Sequence, residues 1–197
     1  REPLELKNGE VVFPPTLSAN IQKIKDVGFP GFDSPSEFGG LALPVNMQWI
    51  GLEMLMQACP STGMNVIWHS SIGHIIDMFA SADIKADIIP KLVSGEWSGS
   101  MALTEPDAGS DLGGIRSYGE RQEDGSWLLT GNKRFITNGC GEVSLVLAMN
   151  KKGATGLNNL NLYVCKRKID GKDNFRVTKL EEKIALHASA TCELNFD

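Results

Sequence analysis

The sequence predicts an α+β protein in which an all-α N-terminal domain is followed by an antiparallel β-barrel or β-sandwich domain. Apolar residues recur at helical spacing between positions 45 and 93. After position 98, short runs rich in apolar and β-branched residues replace them, and turn-forming residues separate these runs. We therefore expect a helical domain at 1–98, which is truncated at its start, and a β-domain at 99–197.

Composition excludes several classes of function. Hydrophobic residues make up 42% and charged residues 22% of the chain, which is ordinary for a globular protein. The net charge is −5 and no basic block offsets it, so we expect no non-specific binding to nucleic acid or to an anionic membrane. No apolar run is long enough to span a membrane. The four cysteines and three histidines lack metal-site spacing and a disulfide framework, which favours reduced, intracellular thiols.

Three helices are predicted in the N-terminal half, at 45–59, roughly 62–80 and 84–93. The first has one apolar face, whereas the second is apolar on more than one side, as a core helix would be. Ser61 or Thr62 is the expected N-cap of the second helix, and Asp83 that of the third. Pro90 is expected to bend the last turn of the third helix. The segment 28–44 is rich in Gly, Pro and Ser and is predicted to be irregular.

Strands are predicted in the C-terminal half at 99–103, 115–122, 127–130, 133–137, 144–149, 160–165, 175–179 and 192–196. Residues 123–125 and the Gly131-Asn132 pair separate neighbouring strands, and both are typical of hairpin turns. Short strands without long helices between them favour a barrel or a sandwich.

The segment MALTEPDAGSD (101–111) is the first candidate binding element. It places Thr104 at the end of a strand, ahead of a turn-rich loop. Gly109 is free to adopt positive φ, Ser110 and the amides after Gly109 could cradle a phosphate, and Asp111 could bond its own backbone. Taken alone, such a segment is more often a tight polar turn. The chain has neither GxGxxG nor GxxxxGK[ST], so a nicotinamide or nucleoside triphosphate site is unsupported.

The segment KRFITNG (133–139) is the second candidate element. Phe135 and Thr137 are expected on one face of a strand, and Asn138-Gly139 turns it. A ring that packs and a hydroxyl that hydrogen-bonds suit the edge of a flat, heteroatom-rich ligand ring. Taken alone, the segment is better explained as an ordinary hairpin with Phe135 in the core.

Together, ALTEPDAGSD and KRFITNG closely resemble the flavin-contacting segments of the acyl-CoA dehydrogenase family. The resemblance extends to IPKLVSGEW (89–97) and to EEKIALHASATCELNFD (181–197). It implies an FAD site, for which the cofactor-binding residues are Met101, Leu103, Thr104, Gly109, Ser110, Phe135, Ile136 and Thr137.

The resemblance also assigns roles to individual residues. Thr104 would contact the pyrimidine side of the flavin, and Thr137 would hydrogen-bond near flavin N5. Gly109 and Ser110 would meet the pyrophosphate. Ser110 also lies where family members contact the acyl-CoA thioester arm, which makes it the candidate substrate-binding residue.

The chain departs from the family pattern at a few positions. Phe135 stands where the family often has Trp, which reduces the stacking area, and Ala185 and His187 stand where Gly and Arg are frequent. His187 is not expected to be a base, because nothing near it in sequence orients it. Glu105 and Asp111 are better explained as supports of the turn.

The family reaction is dehydrogenation of an acyl-CoA thioester, with electrons leaving to a flavoprotein acceptor. Its base is a glutamate in a C-terminal helical bundle, so no catalytic residue is assigned in this chain. The chain begins with Arg1 and ends in what reads as a strand, so we expect it to be part of a longer protein. An acyl-CoA oxidase and a non-catalytic or stress-response flavoprotein are the alternatives. The resemblance further implies a homodimer or homotetramer. We expect the protein in the cytoplasm, with the mitochondrial matrix as the alternative because the N-terminus is expected to be truncated.

Overall fold

The computed structural model describes residues 3–197, which form two compact units. The helical unit contains Val12–Gly99, Glu182–Ala190 and the described residues before Leu6. The sheet unit contains Leu6–Val11, Ser100–Glu181 and Thr191–Asp197. Helices in the first part and a mostly antiparallel sheet in the second confirm the predicted α+β class.

The α-helices within residues 3–197 are α1 (Pro15–Asp26), α2 (Val45–Ala58), α3 (Pro60–Phe79) and α4 (Ala82–Val93). The last three confirm the predicted helices, and their ends lie within two residues of the expected positions. α1 is not among the predicted helices: Leu17, Ile21 and Ile24 recur in it at helical spacing, but most of its other side chains are polar and the segment before it is rich in proline. The segment 28–44 is irregular except for two short 3-10 helices, Phe29–Gly31 and Ser36–Phe38.

The start of α3 differs from the prediction. Cys59 is its N-cap and Pro60 its first residue, so Ser61 and Thr62 lie inside the first turn. Proline is favoured at this first position, because its missing N–H would have no partner within the helix in any case. Pro60, which lies between the two predicted helices, therefore begins the second one.

The start of α4 also differs from the prediction. Ser81 is the N-cap, and Asp83 lies in the first turn. A carboxylate there still stabilises the helix, because it faces the positive end of the helix dipole. Pro90 lies inside α4, and the helix continues to Val93.

The strands of the sheet unit and of the N-terminal hairpin are β1 (Glu5–Lys7), β2 (Glu10–Val12), β3 (Gly99–Ala102), β4 (Tyr118–Arg121), β5 (Trp127–Thr137), β6 (Val143–Met149), β7 (Leu160–Lys166), β8 (Lys168–Ile169), β9 (Lys172–Asp173), β10 (Arg176–Leu180) and β11 (Thr191–Phe196). Seven of them form one sheet in the order β10-β11-β5-β4-β6-β3, with β7 also paired to β6. The pairing of β4 with β6 is parallel, at Tyr118 and Met149. The pairs β1–β2 and β8–β9 are separate two-stranded sheets that the sequence does not predict.

The predicted turn at Gly131-Asn132 is wrong. β5 runs without interruption from Trp127 to Thr137 and pairs with β4 on one side and β11 on the other. A Cβ atom at position 131 would lie 2.1 Å from Ser117 Oγ, so glycine is needed there for close packing. Gly131, which fits a turn in sequence, therefore lies within a strand because a larger residue would clash with Ser117.

Apolar side chains of β6 and β11 form much of the core of the sheet unit. Val143, Leu145, Val146 and Leu194 are almost fully buried. In the helical unit, Phe29, Leu52 and Val66 form a core cluster between the 3-10 helix at Phe29–Gly31, α2 and α3. Among residues 3–197, no helix has both the length and the apolar character needed to cross a membrane.

Leu145→Ala should lower the free energy of unfolding by about 2–5 kcal/mol, because it leaves a cavity in this packed core. The matched control is Leu162→Ala on the neighbouring strand β7. Leu162 is 44% exposed, whereas Leu145 is 1% exposed. The control should change stability by no more than about 0.5 kcal/mol. Urea denaturation followed by circular dichroism measures both, and equal losses would contradict the placement of Leu145 in the core.

Candidate functional site

A buried ion pair joins the two candidate binding segments. Lys133 Nζ donates to Glu105 Oε1 at 2.7 Å, and the two side chains are 0% and 7% exposed. The same ammonium donates to the carbonyl oxygen of Leu103 at 2.9 Å. The backbone N–H of Arg134 donates to the carbonyl oxygen of Thr104 at 2.8 Å. The segment that follows β3 therefore lies directly against β5, so the fold brings together the two segments singled out in the sequence.

Glu105 also holds the loop to the start of β4. Its carboxylate accepts hydrogen bonds from the backbone N–H groups of Arg116 at 2.7 Å and Ser117 at 3.1 Å. Burial alone would raise the pKa of Glu105, but the hydrogen bonds from Lys133 and from these neighbours outweigh burial and lower the pKa. Burial lowers the pKa of the Lys133 ammonium, and Glu105 offsets part of that effect. Glu105 thus acts as an ionised support, in agreement with the expectation for this residue.

The loop after Glu105 closes on itself and presents its tip to solvent. Glu105 and Ala108 exchange backbone hydrogen bonds of 2.9 and 3.2 Å. Asp111 Oδ1 accepts from the backbone N–H of Gly113 at 3.0 Å, which is the local support expected of this aspartate. Gly109 and Ser110 lie between these two sets of hydrogen bonds and are exposed.

The backbone at Gly109 does not use the positive φ that a glycine is free to adopt. A Cβ atom built there would meet no atom within 4 Å. Neither backbone conformation nor packing within the described chain therefore requires glycine at this position.

A β-bulge in β5 places the ring of Phe135 on the surface. The pairing of β5 with β11 shifts register between Cys192 and Leu194, opposite this part of β5. Phe135 has φ of 61°, an uncommon value for a residue other than glycine, and its side chain is 53% exposed. The Arg134 guanidinium lies 4.8 Å from the ring centroid. Phe135 is therefore outside the core, which removes the ordinary-hairpin interpretation of this residue.

Two threonine hydroxyls near this bulge are available for a ligand. Thr104 and Thr137 are both half-buried. Neither hydroxyl is hydrogen-bonded to any residue in the range 3–197. Thr137 and Phe135 flank the buried Ile136, so both lie on the more exposed side of the end of β5. Met101 and Leu103, also half-buried, lie in and just beyond β3.

The sequence does not single out Lys133, although its side chain connects the site. A lysine in a strand is normally read as facing solvent, and nothing in the local pattern pairs it with Glu105, 28 residues earlier. His187 lies in the helical unit, where it lines an open cavity of about 340 Å³ with Pro14, Pro60 and Ser61. Among residues 3–197, no cluster of histidine, cysteine or acidic side chains could hold a metal ion.

Comparison with known proteins gives matches over nearly the whole chain. Residues 4–96 match the family model described as acyl-CoA dehydrogenase, N-terminal domain, and residues 100–197 match acyl-CoA dehydrogenase, middle domain. The chain is 31% identical over 208 residues to 3-methylmercaptopropionyl-CoA dehydrogenase of Ruegeria pomeroyi. That alignment covers 100% of this chain and 35% of the relative.

Solved structures show the same fold. Butyryl-CoA dehydrogenase from Megasphaera elsdenii is 27% identical, with a TM-score of 0.82, over 94% of this chain and 48% of that chain. A chain in the structure of the electron transferring flavoprotein of Acidaminococcus fermentans is 29% identical, with a TM-score of 0.83, over 94% of this chain and 50% of that one. This chain therefore spans about a third of the Ruegeria relative and about half of each of these two chains.

Removing either partner of the buried ion pair should destabilise the sheet unit, and by unequal amounts. Glu105→Gln leaves the Lys133 ammonium buried without a counter-charge and turns an amide toward backbone donors, so we expect a loss of about 3–5 kcal/mol. Lys133→Met leaves Glu105 with two backbone hydrogen bonds, so a smaller loss, about 1–3 kcal/mol, is expected. Urea denaturation of the two variants and of the double variant tests this order. Additive losses in the double variant would show that the pair does not act as a unit.

Proposed function

The chain belongs to the acyl-CoA dehydrogenase family, and from this premise we propose that its sheet unit supplies the FAD-contacting residues of an enzyme that dehydrogenates acyl-CoA thioesters. One observation carries the proposal. An aromatic ring is held outside the core at a bulge, beside two half-buried threonine hydroxyls that have no partner in the described chain. A flat ligand with several hydrogen-bonding edge atoms would use the ring and both hydroxyls.

The residues present fit the flavin end of the cofactor. Thr104 and Thr137 would hydrogen-bond to the ring edge, and Phe135 would pack against the ring. The side chains of Lys133 and Glu105 hold the two segments at a fixed spacing, so the ligand would meet a preorganised edge. Bound FAD would supply the acceptor for the hydride that leaves the β-carbon of the substrate.

The residues also fit the pyrophosphate end. The missing side chain at Gly109 leaves open space, and the Ser110 hydroxyl is exposed beside it. A phosphate could approach the backbone here without a Cβ atom in its way. We assign Gly109 and Ser110 to the pyrophosphate, and Ser110 also to the thioester arm of the substrate.

We propose that the catalytic base lies outside these 197 residues. Abstraction of an α-proton from a thioester needs a carboxylate with a raised pKa. Two carboxylates that pair with residues of β5 have the opposite property. The pKa of Glu105 is lowered, as described above, and hydrogen bonds from Lys179 and Arg134 lower the pKa of Glu181. Neither group is suited to the task.

An electron-accepting flavoprotein and a second copy of the chain complete the proposal as partners. The likeness to a chain in the Acidaminococcus fermentans structure supports the first of these. The second rests on the family resemblance alone.

Thr104→Val and Thr137→Val in the full-length protein should each weaken FAD binding by about fivefold to tenfold, since each removes one hydrogen bond to the ligand. The flavin absorption band should shift as well, because the hydrogen bonding of the ring changes. The fold should be unaffected, because neither hydroxyl has a partner in the described chain. Thr155→Val, at an exposed loop position of the same unit, is the control. Unchanged affinity and spectrum in both site variants would refute the assignment.

The 197-residue chain supplied with FAD should reduce no artificial electron acceptor when mixed with short-, medium- and long-chain acyl-CoAs. Without the base that we place outside these 197 residues, the α-proton of the thioester would not be removed. Full-length protein in the same assay is the positive control. Robust turnover by the chain alone would disprove the proposed location of the base. Rapid reoxidation of substrate-reduced full-length protein by oxygen would indicate an oxidase instead.

A further inference from the structure

A second candidate binding site lies within the helical unit, and none of its residues has been assigned a role above. A cavity of about 180 Å³ opens between α2, α3 and the segment that precedes α2. Its apolar wall includes Trp49, Leu52 and Ile67, and its polar wall includes Asp33, Gln48 and His74. One side of the cavity is therefore apolar, and the other side carries hydrogen-bonding groups.

Asp33 places a buried carboxylate in the polar wall. Its side chain is 2% exposed, and it accepts two contacts from Ser70 Oγ, at 2.8 and 3.0 Å. His74 Nε2 lies 3.0 Å from Asp33 Oδ2. No lysine or arginine within residues 3–197 forms an ion pair with this carboxylate. A buried carboxylate without a permanent cationic partner favours a cationic ligand.

The arrangement of Ser70, Asp33 and His74 does not indicate nucleophilic catalysis. In a catalytic triad the histidine bonds the serine and takes its proton. Here the serine and the histidine both contact the aspartate. Binding is therefore the use that this geometry supports.

Gln48 supplies the independent sign that the cavity takes a ligand. Gln48 is only 5% exposed, and its carboxamide has no hydrogen bond to any described residue. Gln48 Oε1 is among the buried polar atoms that lack a partner. An acceptor that is buried and unpaired is unfavourable, and a donor group that entered the cavity would pair with it.

We propose that this cavity binds an alkylammonium group. The ammonium would donate to Gln48 Oε1 and approach the Asp33 carboxylate, and its charge would be attracted to the face of the Trp49 ring. Leu52 and Ile67 would pack against the alkyl part. A volume of 180 Å³ corresponds to roughly six water molecules in the liquid, so an unbranched chain of about four to six carbons fits. This inference is independent of the flavin proposal, because each concerns residues of a different unit.

Calorimetric titration of the full-length protein with hexylamine tests the proposal. We expect saturable binding at least tenfold tighter than that of hexanol, which lacks the charge, or of hexanoate, which Asp33 would repel. Nα-acetyl-lysine methylamide is the second probe. Binding of hexylamine alone would indicate a free amine as the ligand, and binding of both probes would indicate that a lysine side chain of a partner also fits. Absence of hexylamine binding, or equal binding of hexylamine and hexanol, would overturn the proposal.

Gln48→Leu separates a ligand-binding role from a structural one. The change removes an unpaired buried amide, so the fold should be at least as stable as before, while hexylamine affinity should fall about tenfold. Gln57→Leu, at an exposed position of the same helix, is the matched control and should bind hexylamine normally. Unchanged hexylamine binding by Gln48→Leu, or a clear loss of stability in this variant, would contradict the role given to Gln48.

Discussion

The buried contact between Lys133 and Glu105 is the constraint on which the arrangement of the sheet unit depends. An ammonium removed from water is tolerated only with a close counter-charge, and 2.7 Å between Lys133 Nζ and Glu105 Oε1 meets that condition. The same carboxylate accepts from the first residues before β4, and the same ammonium donates to the end of the β3 segment. Three separate stretches of chain are therefore fixed at one point, and the groups proposed to bind flavin lie on two of them.

The bulge in β5 makes this buried pair compatible with an exposed ring. In a regular strand, residues 133 and 135 would point to the same face, so a buried Lys133 would imply a buried Phe135. The register shift against β11 and the positive φ of Phe135 break that alternation. Such a conformation costs of order 1–3 kcal/mol in a residue other than glycine, and it persists where surrounding contacts determine it. The pairing on both sides of the bulge and the Lys133 anchor provide those contacts.

The parts of this fold that can be predicted from sequence are those that repeat a local pattern. α2 and α3 have regularly spaced apolar residues, and their positions follow from that spacing. α1 also has Leu17, Ile21 and Ile24 at helical spacing, but the prolines at its start and its many polar residues conceal that signal. The Gly131-Asn132 pair fits a turn in sequence, but it lies in a strand because glycine also permits close approach to Ser117. The two candidate binding segments could be found from their resemblance to a family. Their contact through Lys133 could not, because it depends on pairing across 28 residues.

Some glycines of the sheet unit are required by the packing of the protein itself, whereas Gly109 is not. A Cβ atom at Gly139 would lie 2.8 Å from Cys192 Cβ, and one at Gly131 would lie 2.1 Å from Ser117 Oγ, so the protein itself requires both glycines. No neighbour in the described chain excludes a side chain at Gly109. No contact within the described chain explains the glycine at position 109. The same is true of the Thr104 and Thr137 hydroxyls, which have no hydrogen-bond partner there. Gln48 meets the same criterion in the helical unit, because its Oε1 atom is buried and unpaired. Each candidate site thus contains groups that internal packing does not explain, and a ligand would account for them.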